Sequence, residues 1–370
     1  MTLRGAKSCT SGVQPATVWL RQSRQSSFRA DVPFYNAGVQ ELTEVFHAFA
    51  VRAAPRTAAA LILCTLLSSL AQGTDLSTLS SKVWNHGSPD CASNRDPAIE
   101  VFRFDPATYI LRQNKCLHFE APFIYVLFGE HTVFIQDTGA TADAERFPLY
   151  ETVRSLITER SAGLPGEELK LLVTHSHGHG DHVAADGQFR GKPGVTLVEP
   201  SAQEVRRHFG FENWPEGEAK IDLGGRELIV MPAPGHQEAS IAVYDAATGW
   251  LLTGDSLYPG RLYVDDWRMY KASVERLVAF AKARPVSAVM GTHIEMSRVP
   301  GQQFPAGSSF QPDEAPLALK VEDLMQLDQG LRKAGDDPET IGTDHFVVTP
   351  VGALQRMISR IVKFFSRQPR

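Results

Sequence analysis

Cysteine is scarce, four residues in 370, and no two of them form a C-x-x-C pair, which excludes a disulfide scaffold and a zinc ribbon. A basic surplus is also missing, with 37 Lys and Arg against 42 Asp and Glu and a formal charge of -5. Residues 1–73 hold more basic than acidic side chains, so the remainder is more acidic than the total implies. Such a body is a poor match for a phosphate backbone, and no nucleic-acid partner is expected. No fixed-period repeat occurs, and no apolar run reaches the roughly 20 residues that a membrane span needs. What is there, 43% hydrophobic and 21% charged residues, describes a folded globular chain, neither disordered throughout nor a multi-span membrane protein. The length suits two average domains, or one large domain with extensions.

The longest apolar stretch is residues 57–70. Arg52 and Arg56 precede it, and Ala71-Gln72-Gly73 follows with small residues where a signal peptidase reads. That pattern predicts a signal peptide over 51–73, with the biological start near Val51 and residues 1–50 unstructured or wrongly assigned to the chain. Export to the periplasm or the medium would leave a mature chain from Thr74, touching a membrane only through its signal. Only Cys91 and Cys116 would remain, and two cysteines in an oxidising compartment favour a disulfide.

Beyond a polar entry, residues 74–119 supply β-type runs at 99–104 and 108–112 that lead into the main body, 120–300. There, runs at Phe123–Phe128 and Thr132–Gln136 form a hairpin across Gly129-Glu130. A helix is expected over 149–159, and a compact apolar strand over 169–174. Further strands are expected at 195–198, 227–231, 241–244, 250–253 and 286–290, with a helix over 271–283. Residues 301–370 read as a Gly/Pro/Ser-rich loop over 301–316 followed by amphipathic helices at Val321–Ala334 and 351–365. Strands interleaved with helices, with turns too short for βαβ crossovers throughout, point to a layered α/β sandwich.

Four of the twelve histidines fall in His175-Ser176-His177-Gly178-His179-Gly180-Asp181-His182, just past a strand end. Imidazole and carboxylate are natural ligands for a borderline divalent ion such as zinc. His177 and His179, two apart in extended chain, point to one side, and Asp181 and His182 can turn toward a second ion. Three more strands end in the same manner: at Ala233-Pro234-Gly235-His236, at Thr253-Gly254-Asp255 and at Gly291-Thr292-His293. Core packing alone does not produce a glycine-flanked His or Asp past three strands in this order. His175 lies outside the spacing and reads as structural or supporting, and His118 and His131 have no motif neighbour.

With these motifs the chain resembles the metallo-β-lactamase fold superfamily. The H-x-H-x-D-H signature is matched by His177, His179, Asp181 and His182, the downstream motifs by His236, Asp255 and His293, and the early strand-closing aspartate by Asp137 in Phe134-Ile135-Gln136-Asp137-Thr138-Gly139. The resemblance runs from about Phe123 to His293 and implies an αββα sandwich, here with a C-terminal helical extension. It implies two divalent metal ions, zinc foremost: one on His177, His179 and His236, the other on Asp181, His182 and His293, with Asp255 bridging. Asp137 would orient a ligand from behind.

The chemistry so implied is metal-dependent hydrolysis of a small-molecule ester, thioester or lactone, with Asp181 orienting the attacking oxygen and carrying its proton. A bridging aspartate resembles the glyoxalase II and acyl-homoserine-lactone lactonase branches more than the β-lactamases, which usually carry Cys or Ser there. In the lactonases a tyrosine three residues after the bridging Asp helps hold the substrate carbonyl; Tyr258 has that spacing and could donate to an oxyanion. Arg261, Tyr263 and Lys271 could meet an anionic substrate, and Leu262, Val264 and Trp267 could wall an acyl chain. The alternatives are a β-lactamase-type amide hydrolase, an iron-dependent oxidoreductase and a non-catalytic metal-binding module. His179 stands where the flavodiiron-type pattern has Glu, and the complete ligand set disfavours a module without catalysis. The sequence leaves the oligomeric state open.

Overall fold

The computed structural model describes residues 76–161 and 169–352. The expected signal peptide, the preceding 50 residues and all but the first two residues of the 351–365 helix lie outside the described residues.

A short helix, α1 (Leu76–Ser81), precedes a six-stranded sheet ordered β1 (Ile99–Asp105), β2 (Thr108–Gln113), β3 (Phe123–Phe128), β4 (Thr132–Gln136), β5 (Lys170–Thr174) and β6 (Val195–Leu197). The first four pair antiparallel in sequence order, as short connections require, while β4–β5 and β5–β6 are parallel. Helix α2 (Leu149–Ser161) makes the crossover between β4 and β5. Two single-turn helices, α3 (Gly180–Val183) and α4 (Asp186–Phe189), lie between β5 and β6, and α5 (Ala202–Phe209) follows. The second sheet is ordered β13 (Ala318–Leu319), β12 (Ala288–Gly291), β10 (Trp250–Gly254), β9 (Ile241–Asp245), β8 (Glu227–Pro232) and β7 (Ala219–Asp222). A small third sheet joins β11 (Arg261–Val264), β15 (Val347–Pro350) and β14 (Ile341–Gly342). Helices α6 (Trp267–Ala283) and α7 (Val321–Ala334) complete the described elements.

Side-chain alternation explains why the two large sheets pack as they do. Phe134 and Leu172 point inward and meet Val230, Val243 and Leu252 from the opposing sheet in the central core. Their strand neighbours Val133, Ile135, Leu171 and Val173 point outward and are covered by Val153, Leu156 and Ile157 of α2. On the far side Ile229, Tyr244, Leu251 and Val289 pack on Val274, Leu277 and Val278 of α6 and on Leu324 and Leu327 of α7. With helices on both outer faces the architecture is αββα, with α7 a helical extension beyond it. Strands buried on both faces read as unbroken apolar runs, which is why β3 (FIYVLF) stands out in the sequence.

The expected elements hold within a residue or two, except that α6 begins four residues earlier than 271, where the Asp266 side chain accepts from Met269 N and caps it. The structure adds α1, the single-turn α3 and α4, α5, β7, β11 and the short β13–β15. The 301–316 segment is irregular but tied down: Glu314 forms a buried bidentate pair with Arg112, whose guanidinium lies over Phe123.

Candidate metal centre

Parallel pairing brings strand ends to one edge. The alignment of β4 with β5 sets Asp137 beside the histidine loop, and that of β10 with β12 sets Asp255 beside His293. Gly254 is required where these meet, because a Cβ on it would come 2.5 Å from the Cβ of Ser176.

The seven side chains singled out in the sequence converge in two adjoining groups, His177, His179 and His236, and Asp181, His182, Asp255 and His293, with the donor atoms of each group within 4.8 Å of one another. In the first, His177 Nε2 is 2.9 Å from His179 Nδ1, and His236 Nε2 is 3.1 and 3.0 Å from those two atoms. His236 Nδ1 is 2.7 Å from the Tyr263 carbonyl, an acceptor only, so the Nδ1 holds the hydrogen and Nε2 offers a lone pair. In the second, Asp181 Oδ2 lies 3.2 Å from His182 Nε2 and 3.3 Å from His293 Nε2. Asp255 faces both groups: its Oδ1 is 3.6 and 3.4 Å from His182 and His293, and its Oδ2 is 3.7 Å from His236.

The electrostatics of the two groups differ. Burial, then the neighbouring His182, His236 and His179, hold His177 well below the usual imidazole range, so it stays neutral. Burial would do the same to His182 and His293, but carboxylates reverse it. Asp181, Asp137 and Asp255 raise His182 well above the usual range, and Asp255 and Asp181 push His293 up to about 9. Burial opposes ionisation of Asp181 and Asp255 too, yet His182 and His293 hold both carboxyls low. The second group therefore draws positive charge to itself.

Behind the donors stands a supporting layer. Asp137, in a left-handed conformation at φ 75°, accepts from Ser176 N at 2.6 Å and Ser176 Oγ at 2.9 Å, and its Oδ2 is 3.1 Å from His182 Nδ1. His293 Nδ1 is 3.0 Å from the Glu120 carbonyl, and the Thr292 hydroxyl donates to Asp255 Oδ1. His175 is turned away, with Nε2 2.8 Å from Asp186 and Nδ1 3.1 Å from the Val198 carbonyl, as a structural histidine would be. Ser176 and Thr292 were legible only as residues inside the motifs, and the carbonyls of Glu120 and Tyr263 leave no side-chain signal at all.

Three expectations need correction. Tyr258 lies beside the centre, its ring 5.3 Å from that of His293, but its hydroxyl donates to the Arg261 carbonyl, so that proton is not offered to a substrate. Leu262, Val264 and Trp267 are buried in the core rather than walling the centre, because the β11 alternation turns Tyr263 outward instead. Arg261 and Lys271 already have partners within the chain. Arg261 pairs with Glu295 and donates to the Phe304 carbonyl, and Lys271 donates to the Gly335 carbonyl and Asp336.

An αββα sandwich with adjoining His/Asp groups on one edge defines a class of metal-site proteins. Residues 119–293 match the family model described as "Metallo-beta-lactamase superfamily", and the chain carries a domain of that superfamily. A hydroxyacylglutathione hydrolase of Chelativorans sp. (strain BNC1) is 31% identical over 111 residues, 29% of this chain and 42% of that one. The human acyl-coenzyme A thioesterase MBLAC2 is 28% identical over 180 residues, 43% of this chain and 61% of its own. The chain thus spans less than two thirds of the length of these curated relatives. Among solved structures, a metallo-beta-lactamase from Pontibacter korlensis is 16% identical, with a TM-score of 0.40 over 63% of this chain and 99% of that one.

Proposed function

We propose that this chain is an exported, dinuclear metal-dependent hydrolase of an ester, thioester or lactone. The observation that carries the reading is Asp255 facing two adjoining donor groups, one oxygen to each. The donor set fits ions: three imidazole nitrogens 2.9–3.1 Å apart cannot all be paired by hydrogen bonds among themselves, whereas one cation among them pairs with all three. His177, His179 and His236 would hold one ion and Asp181, His182 and His293 the other, with Asp255 between them and zinc the ion that best suits imidazole and carboxylate. Ions so held lower the pKa of a water toward about 7 and polarise a carbonyl oxygen.

The remaining steps belong to the chain. Asp137 and the Glu120 and Tyr263 carbonyls fix the ring orientations of His182, His293 and His236, so the donors are preorganised. The Asp181 side chain keeps 20% of its surface open and can take the proton of the attacking water and pass it to the leaving group. Two relatives are named a hydroxyacylglutathione hydrolase and an acyl-coenzyme A thioesterase, which supports cleavage of an acyl bond. The Cys91–Cys116 disulfide supports an oxidising compartment, and mature protein from the native host is expected to begin at Thr74.

A panel of aryl esters, thioesters, lactones and penicillins tests the reading, run on Zn-loaded protein and on Asp181→Ala. Hydrolysis of an ester, thioester or lactone, lost in Asp181→Ala by about 10² or more, is expected. Penicillin turnover without ester, thioester or lactone turnover would place the chain on the β-lactamase side of the superfamily.

A further inference from the structure

The sequence that follows the last strand differs in charge from the rest of the chain. Residues 353–370 carry Arg356, Arg360, Lys363, Arg367 and Arg370 and no acidic side chain, in a chain whose formal charge is -5. These basic residues recur at spacings of four, three, four and three, which makes one stripe along a helix. Leu354, Met357, Ile358, Ile361, Phe364 and Phe365 recur with the same period. At about 100° per residue they fall on the opposite side from the basic stripe.

The described fold shows no face waiting for that apolar stripe. One outer face of the sandwich is covered by α2, and the other by α6 and α7. Among the described residues the large apolar side chains left exposed are Val83, Val101, Phe119, Tyr263, Val299 and Met325, which come from six separate segments rather than from one face of an element. The point of departure is defined: β15 pairs with β11, and Val351 N donates to the Val264 carbonyl at 2.9 Å. The preceding carbonyl of β11, that of Tyr263, is the one 2.7 Å from His236 Nδ1. The segment therefore leaves from the strand pair that supports the first donor group.

A nucleic acid or a small anion would answer the basic stripe and leave the apolar one in water. An anionic bilayer answers both, since the apolar face enters the boundary of the acyl chains while Lys and Arg meet the phosphates. The acidic body opposes the approach. At physiological salt, however, screening over about 8 Å confines that repulsion to the few side chains nearest the surface, whereas the basic stripe lies within it.

We propose that residues 353–370 bind an anionic phospholipid surface as a helix lying in its headgroup layer. This is a membrane contact beyond the signal expected from the sequence, and it does not rest on the hydrolase reading.

The test is co-sedimentation with vesicles of phosphatidylcholine alone or of phosphatidylglycerol mixed equally with phosphatidylcholine. The protein used begins at Thr74, which keeps every described residue and removes the apolar stretch 57–70 as a second membrane-seeking segment. We expect partition onto the anionic vesicles to exceed that onto the neutral ones by about 10-fold or more. It should fall by about 10-fold between roughly 50 and 500 mM NaCl. The variant Arg356→Glu/Arg360→Glu/Lys363→Glu should lose about 10-fold or more, and Ile361→Ser/Phe365→Ser, which leaves the charge unchanged, about 5-fold or more. A control of matched charge, Arg190→Glu/Arg207→Glu/Lys220→Glu, alters exposed residues of the body and should bind as the parent does. Unfolding curves show that each variant is folded before its partition is read. Equal partition onto neutral and anionic vesicles, no partition onto either, unchanged binding by the tail variants, or an equal loss in the control would overturn the proposal.

Discussion

Tyr258 shows how a residue can be found in the sequence and still be misread. Its spacing after Asp255 put it beside the centre, which is where it lies, but the direction of its hydroxyl depends on the Arg261 carbonyl three residues on. Tyr258→Phe should therefore change kcat by less than about 3-fold while lowering stability by about 1–3 kcal/mol, since a partly buried carbonyl loses its donor. Parallel kinetics and denaturant unfolding check this, and a kcat loss of 10² would restore the oxyanion role. Lys115 gives a pH signature. Burial first, then Arg112 beside it, bring its ammonium down to about 8. The folded state gives up this proton at lower pH than the unfolded chain does, so the penalty of holding the charge is full below pH 8 and relieved as pH rises toward the ordinary lysine value. Stability should gain up to about 3 kcal/mol across that window through this group, and Lys115→Met should flatten that slope in a series of unfolding curves.

At the scale of elements, the donors were legible because they follow strand ends in short His/Asp motifs that also hold a glycine, a pattern that survives without coordinates. Their supports were not, because a carbonyl such as that of Glu120 belongs to every residue and is chosen only by tertiary approach. Strand β11 was missed for a related reason: Arg-Leu-Tyr-Val is short, and its parallel partner β15 lies more than 80 residues away in the sequence. The loop between β2 and β3 carries Cys116, His118, Phe119 and Glu120, and the Cys91–Cys116 disulfide anchors it across a separation of 25 residues. Closing such a loop constrains the unfolded chain by roughly 3 kcal/mol. Cys116→Ser should lose stability of that order and also weaken metal retention, because the same loop positions His293 through the Glu120 carbonyl. Unfolding curves and metal content after dialysis measure the two effects, and intact stability in Cys116→Ser would show the bond to be incidental.

At the scale of the whole molecule, the layered α/β architecture was legible from alternating strands and helices, and the αββα arrangement from the resemblance. Beyond the β3–β4 hairpin, the order of strands within each sheet was not legible, since apolar runs covered on both faces carry no mark of which neighbour they choose. Three apolar cores, one between the sheets and one under each helical layer, hold a single edge of the sandwich rigid, and every candidate ligand stands on that edge. The central claim is that this edge holds two ions acting as one hydrolytic centre. The direct measurement is a titration of metal-free protein with Zn²⁺, following bound metal and ester, thioester or lactone hydrolysis in the same samples. The account predicts that hydrolysis rises to a plateau at about two ions per chain and that Asp255→Ala stops short of it. Full activity at one ion per chain, or two bound ions with no hydrolysis of any of these acyl compounds, would contradict it.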